Sequence, residues 1–139
     1  MTQSSDPAAI IRTKDTATSR YELRADGVIV QRVVATKTQT LVDARENTDA
    51  FAALAAGEKH PLMVDMRANF ATERGVREHY ASSAATGHCS AIALLIQSAA
   101  GRVIGNFFLA LQSSAVPTRM FAEEADALAW IRRVAAVRR

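Results

Sequence analysis

A long segment with almost no charge most constrains how this chain can fold. Between Glu78 and Arg119 lie 40 residues whose only formal charge is Arg102, in a chain of 139 residues with a net charge of +3. The longest apolar runs in the segment, at 91–96 and 107–111, are far shorter than the roughly 18 residues that cross a bilayer. We therefore expect the segment to be buried in a protein core, with no membrane span.

Composition narrows the class of protein further. With 49% hydrophobic and 22% charged residues and one cysteine, the sequence is typical of one compact domain and excludes a disulfide scaffold or a structural zinc cluster. Residues 1–19 lack the apolar run of a signal peptide, so we predict a flexible tail there, one domain over 20–139 and a cytoplasmic location. The cations form no continuous stripe, so nucleic-acid binding is not expected.

Local signals predict the first elements of the fold. Asp26-Gly27 separates two β-prone runs, at 21–25 and 28–35, which predicts a hairpin with a type I′ turn. Thr40 and Asp43 resemble a capping box, and Gly57 is a helix stop, so a helix is predicted over 40–56.

The remaining elements alternate between strands and helices. Strands are predicted over 61–66, 91–96 and 117–121, and helices over 73–85, 102–111 and 123–137. The order ββαβαβαβα is typical of an α/β fold. We predict an open mixed sheet of about five strands, formed by an N-terminal β-hairpin followed by βαβ-type crossovers, with about four helices.

Two passages resemble the STAS domain, the fold of bacterial anti-sigma-factor antagonists such as SpoIIAA. One is PLMVDMR at 61–67, leading into Thr72 and a helix; the other is RVIGNFFL at 102–109, followed by PTRMF at 117–121 and a helix from Glu123. The resemblance covers about residues 20–137 and implies the fold of a little-characterised group of small bacterial STAS-like proteins, related to CRAL-TRIO lipid carriers.

The resemblance places Thr72 at the position where signalling STAS domains are phosphorylated. In those domains a serine in an Asp-Ser-Ser-Gly type pattern begins the helix after the third strand. The matching segment here is FATERG at 70–75, in which Thr72 is the only hydroxyl and no Asp-Ser precedes it. We therefore interpret Thr72 as a helix N-cap and not as a phosphorylation site.

Open α/β sheets bind ligands beyond the carboxyl ends of their strands. The candidate ligand-binding residues there follow two neighbouring predicted strands: Asp65, Arg67, Asn69, Ser98, Arg102 and Asn106. Arg102 lies near a predicted helix N-terminus, where a cation opposes the helix dipole. Its partner is Asp65, a bound anion, or none.

The third predicted helix is apolar almost all round. Val103, Ile104, Phe107 and Leu111 share one face, whereas the interface candidates point elsewhere: Gly105, Phe108 and Leu109. The surplus apolar surface predicts contact with a neighbouring helix, a partner chain or an apolar ligand. We favour a homodimer surface, and Gly105 is consistent with a group that approaches the backbone closely.

No catalytic or metal site is predicted. His79, His88 and Cys89 lack a defined base and are one ligand short of a structural zinc site, so we interpret Cys89 as a packing residue and His60 as a loop residue. No cofactor is expected. The first hypothesis is a non-enzymatic STAS-like regulatory or scaffolding protein that binds an unidentified protein. The alternative is a carrier of a small apolar or anionic ligand, such as a lipid.

Overall fold

The computed structural model describes residues 6–34, 37–68, 71–82, 86–111 and 116–137. Its strands are β1 (Ile10–Asp15), β2 (Ser19–Arg24), β3 (Ile29–Val33), β4 (His60–Asp65), β5 (Cys89–Leu95) and β6 (Thr118–Phe121). Its helices are α1 (Leu41–Ala55), α2 (Val76–Ala81), α3 (Ala99–Leu111) and α4 (Glu124–Val137).

All six strands lie in one sheet, in the order β1-β2-β3-β4-β5-β6. The first three strands are antiparallel, and β3 to β6 run parallel to one another. The predicted mixed α/β sheet, with its hairpin and crossovers, is therefore confirmed, with one strand more than the five expected.

The additional strand is β1, so the predicted flexible tail over 1–19 is wrong for residues 10–15. β-branched residues recur in this segment (IIRTKD), which favours extended backbone. A short turn then returns the chain to β2: the Thr16 N–H donates to the Ser19 carbonyl (2.9 Å), and Thr16 Oγ1 accepts from the Ser19 N–H (3.0 Å).

The β2–β3 hairpin is confirmed, but its turn differs from the predicted type I′. The Gly27 N–H donates to the Arg24 carbonyl and the Arg24 N–H donates to the Val28 carbonyl, both at 2.9 Å. A type I′ turn needs two positive φ angles, and in this turn only Gly27 has one, at 86°. The connection is therefore a three-residue loop whose left-handed position is Gly27.

Helices cover both faces of the sheet. On one face α1 contributes Phe51 and Leu54 to a buried cluster that includes Ile92 and Leu94. On the opposite face α4 packs Leu128 and Ile131 against a second cluster that includes Val30, Met63 and Ala93. α4 contacts β4, β5 and β6, three of the parallel strands.

The two predicted caps have different outcomes. Thr40 forms the complete capping box with Asp43, as predicted. The N-cap role predicted for Thr72 is wrong, because α2 begins only at Val76, after Gly75 in the left-handed region at φ 91°. Thr72 instead forms a parallel bridge with Gln39, whose carbonyl accepts from the Glu73 N–H (2.8 Å). A turn in which the Val76 N–H donates to the Glu73 carbonyl (3.3 Å), with Gly75 in the left-handed region, therefore replaces the first predicted turn of the helix.

Candidate functional site: the strand-end cluster

A cluster of charged residues lies where β3 and β4 end and α4 begins. We call it the strand-end cluster; its members are Glu22, Arg32, Asp65, Arg67 and Glu124. Arg32 in β3 and Asp65 in β4 are direct register partners, so their side chains share one face of the sheet. Glu124 is the first residue of α4, which packs on that same face.

Asp65 joins the two arginines of the cluster. Its Oδ2 lies 3.0 Å from Arg32 Nη1 and 2.9 Å from Arg67 Nη2. Its Oδ1 accepts from Arg67 Nε (2.9 Å) and from the Arg67 backbone N–H (3.1 Å). Arg67 therefore binds both carboxylate oxygens, the planar geometry that makes such pairs strong.

Two glutamates extend this pair into a network. Glu124 Oε1 lies 3.0 Å from Arg32 Nη1 and 3.5 Å from Arg67 Nη2. On the other side, Glu22 lies 3.8 Å from Arg32 Nε and 3.6 Å from the Nε of Arg20. Cations and carboxylates alternate, so the cluster neutralises most of its own charge.

The network shifts the pKa values of its members. Burial alone would raise the pKa of Asp65, but the hydrogen bonds from Arg67 and Arg32 outweigh burial and lower it below the ordinary value. Partial burial opposes ionisation of Arg32, yet Glu124 and Glu22 raise its pKa. Asp65 is thus held as a carboxylate, which suits it to an ion pair and not to donating a proton.

The structure brings together two of the six predicted ligand-binding residues, Asp65 and Arg67. Ser98 instead caps α3, its Oγ accepting from the Gly101 N–H (2.9 Å). Arg102 and Asn106 are exposed on α3. Within the described ranges Arg102 forms no ion pair, so Asp65 is not its partner. Asn69 lies outside the described residues.

Sequence reasoning missed Arg32, Glu124 and Glu22. Arg32 is separated from Asp65 by 33 positions and from Glu124 by 92, so no local spacing connects them. One signal was available in the run 28–34. Arg32 is its only charged residue, and all the others except Gln31 are apolar. A lone charge near the end of a central strand indicates a partner on a neighbouring element.

The predicted interface on α3 is partly wrong. A Cβ at Gly105 would clash with Met120 Sδ and lie 2.6 Å from Ile96 Cδ1, so the close approach to this glycine comes from the chain's own sheet. Leu109 is half-buried, and the side chain of Phe108 lies outside the description. Val103 is 64% exposed.

Cys89 and the histidines do not form a reactive centre in the described part of the chain. Cys89 is buried in the core, as predicted, and burial raises the pKa of its thiol to about 12. His60 is the first residue of β4, not a loop residue, and its Nδ1 lies 2.8 Å from the Gly27 carbonyl. No three potential ligands among the described residues are grouped to hold a metal ion.

A second cluster of polar side chains is uncharged and buried. Asn47 on α1 bonds the hydroxyls of Thr16 (2.5 Å), Thr18 (2.9 Å) and Tyr80 (2.9 Å). Tyr80 also donates to Gln39 Oε1, next to Thr72 in the bridge. Burial raises the pKa of Tyr80 to about 12, so its hydroxyl stays neutral and fastens α2 to α1.

Among the described segments, no helix combines the length and the apolar character that crossing a bilayer requires.

Comparison with known proteins supports the fold and identifies the family. The structure is similar to an uncharacterised Shewanella loihica PV-4 protein of the DUF3478 family with a SpoIIAA-like fold, at a TM-score of 0.57 and 15% identity, covering 94% of this chain and 99% of that one. The predicted STAS-like fold is thereby confirmed. A protein of unknown function from Arthrobacter sp. FB24 is 31% identical, covering 80% of this chain and 96% of that one, at a TM-score of 0.31.

A search among curated proteins finds no match. The model of the family described as "Domain of unknown function (DUF7793)" matches residues 21–135. This range begins inside β2 and ends inside α4, so it contains the strand-end cluster. The chain therefore belongs to the DUF7793 family.

Proposed function

We propose that this chain is a non-enzymatic STAS-like module that acts through protein contacts in a regulatory or scaffolding role. The observation that carries the proposal is the occupation of the strand ends by the chain's own ion pairs. Arg32 contacts both Asp65 and Glu124, and Arg67 binds Asp65 through two nitrogens. The edge of the sheet where this class of fold holds ligands is thus filled by internal contacts.

This occupation favours a protein partner over a small anionic ligand. A phosphate or carboxylate would have to displace Asp65 from the Arg67 fork or Glu124 from Arg32. Displacement from the Arg67 fork would leave the Asp65 carboxylate, whose side chain is 11% exposed, without its partner. Losing a partner there costs more free energy than breaking an exposed ion pair on the surface. A ligand gains little from a site whose cations are already paired.

The chemistry of the buried groups supports a non-enzymatic role. The thiol of Cys89 is buried and its pKa is raised, which opposes formation of a thiolate nucleophile. The paired carboxylate of Asp65 has a lowered pKa, which opposes general-acid catalysis.

Native mass spectrometry of the purified full-length protein tests the proposal. We expect masses that equal the chain or whole multiples of it, with no small molecule retained. The proposal would be overturned in favour of the carrier if one small molecule is bound per chain in the wild type and none is bound in Arg67→Met.

Self-association through α3 stays a prediction. Of the large apolar side chains described on α3, Val103 is the one that is largely exposed, and Val42 on α1 is a matched control at 74% exposed. If α3 forms a homodimer, Val103→Glu yields a monomer by light scattering, whereas Val42→Glu leaves the mass unchanged. Equal masses for wild type and both variants would remove α3 as the interface.

A further inference from the structure

We propose that the outer edge of β1 binds an extended acidic segment of a partner protein, which adds a strand to the sheet. The inference rests on the proposed function and names the surface and the class of partner. The proposed site lies before the range that the family model matches, since β1 precedes residues 21–135.

β1 is available for such a contact. It is the terminal strand of the sheet, and all six of its residues are exposed. Within the described ranges, no strand pairs with its outer side. Ile10 and Ile11 are 52% and 61% exposed, so the edge also offers apolar surface. A free edge of this kind is a template for an additional strand.

Backbone groups of β1 point toward the free side. The Thr16 N–H donates inward to the Ser19 carbonyl, and Lys14 is the register partner of Tyr21. Because inward and outward pairs alternate along an antiparallel strand, the N–H and carbonyl groups of Thr13 and Asp15 point outward. These groups are the hydrogen-bonding frame for a partner strand.

The β1 edge carries two cations. Arg12 and Lys14 share one face of the strand, since their register partners are Leu23 and Tyr21. In the described structure neither cation has a carboxylate within ion-pair distance. By contrast, the arginines at 20, 32, 67 and 132 and Lys37 are each paired with a carboxylate.

A second copy of β1 does not fit this edge. In antiparallel pairing, Thr13 opposite Thr13 of a second copy places Arg12 opposite Lys14. Thr13 opposite Asp15 places Lys14 opposite Lys14, and Asp15 opposite Asp15 places two carboxylates together. Like charges directly opposite each other destabilise strand pairs. The complementary occupant is a strand with carboxylates two residues apart, which meet Arg12 and Lys14 on one face.

Peptide binding to the full-length protein tests the inference. The probe is a short capped peptide in which glutamate alternates with valine, and the control is its counterpart with lysine in place of glutamate. We expect the glutamate peptide to bind about tenfold or more tightly than the control. In amide NMR spectra it should shift the Thr13 and Asp15 signals and slow their hydrogen exchange.

Two variants separate charge from backbone pairing. Arg12→Glu combined with Lys14→Glu should reverse the preference between the peptides. Thr13→Pro removes an outward N–H while sparing the pairing with β2, and should weaken binding of the glutamate peptide. Circular dichroism confirms that each variant is folded.

The inference is overturned if neither peptide binds, if both bind equally, or if the shifted amides lie away from β1. The proposed function has a separate test, because native mass spectrometry asks only whether a small molecule is retained. If the purified protein retains no small molecule and β1 does not bind the peptide, only the strand-addition site is refuted, and the proposed function stands.

Discussion

The strand-end cluster and the β1 edge are both rich in arginine or lysine, yet they differ in what surrounds the cations. In the strand-end cluster each arginine meets carboxylates from other elements, and Arg32 reaches Asp65 and Glu124 at 3.0 Å. On β1 the cations Arg12 and Lys14 face solvent without a carboxylate partner among the described residues. The first arrangement holds the chain together, and the second is free to bind another molecule.

The difference teaches that a cation at a strand end is not by itself an anion site. The sequence pointed to Asp65, Arg67 and Arg102 because of their position in the α/β pattern. The structure pairs two of them with each other and leaves Arg102 on the outside of α3. Whether a cation is available depends on which carboxylates the fold places opposite it.

Removing the central cation of the strand-end cluster should produce the largest effect. Arg32→Met leaves Glu22, Asp65 and Glu124 close together without the guanidinium between them. We expect a loss of about 2 kcal/mol in the free energy of unfolding, less than for a fully buried pair because the Arg32 side chain is 31% exposed. Urea denaturation measures the change.

The matched control for that variant is Arg20→Met, which removes a more exposed arginine from the same network. Its side chain is 45% exposed, so we expect a loss of under about 0.5 kcal/mol. Equal losses for the two variants would show that the cluster is an ordinary surface network, and the contrast with β1 would then disappear.

Acidification of the strand-end cluster should produce the second-largest effect. The pKa of Asp65 is lowered in the folded protein, so its ion pairs contribute stability that is fully present above the unfolded pKa of about 3.9. That contribution is lost as the pH falls through the lower, folded pKa. Unfolding free energies between about pH 6 and 2 should therefore fall less steeply for Asp65→Asn than for the wild type.

The exposed Asp15 provides the comparison for the pH series. Asp15→Asn removes a carboxylate that is 68% exposed and pairs with Arg20 on the surface. Its pH profile should follow that of the wild type closely. A profile for Asp65→Asn that also coincides with the wild type would contradict the assignment of Asp65 to a stabilising ion pair.

The smallest effect is expected at the β1 edge. Arg12→Glu and Lys14→Glu alter side chains that touch no carboxylate of the described chain, so each should change the unfolding free energy by no more than about 0.5 kcal/mol. Thermal or urea unfolding measures the change. A loss as large as that of Arg32→Met would show that these cations serve the fold, and they would no longer be free for a partner.

Much of the architecture could be predicted from the sequence, because strong local signals agree with the tertiary fold. The capping box at Thr40, the turn glycine Gly27 and the apolar strands at 61–66 and 91–96 all occur where the pattern placed them. Elements with mixed signals were less predictable. In β1 two adjacent isoleucines precede charged and polar residues without a regular alternation, and in α2 Gly75 interrupts the helical pattern.

The candidate site was only half predictable, for a reason of distance along the chain. Asp65 and Arg67 lie two residues apart, so a strand-end argument locates them together. Arg32 and Glu124 join them only when β3 pairs with β4 and α4 packs across the strand ends. The surroundings of Gly105 were hidden for the same reason. The sequence placed Gly105 in a helix, but it did not show that Met120 lies close to it in the folded chain.

The sequence alone established an α/β fold, its STAS-like order of elements and the buried strand at 91–96, because hydrophobic period, caps and turns act over a few neighbouring residues. Strand pairing and helix packing decided which charges are paired and which remain exposed. Electrostatic partners depend on three-dimensional distance, and residues separated by 92 positions become neighbours only in the folded chain. The same folding step that paired Arg32 left Arg12 and Lys14 on an open edge.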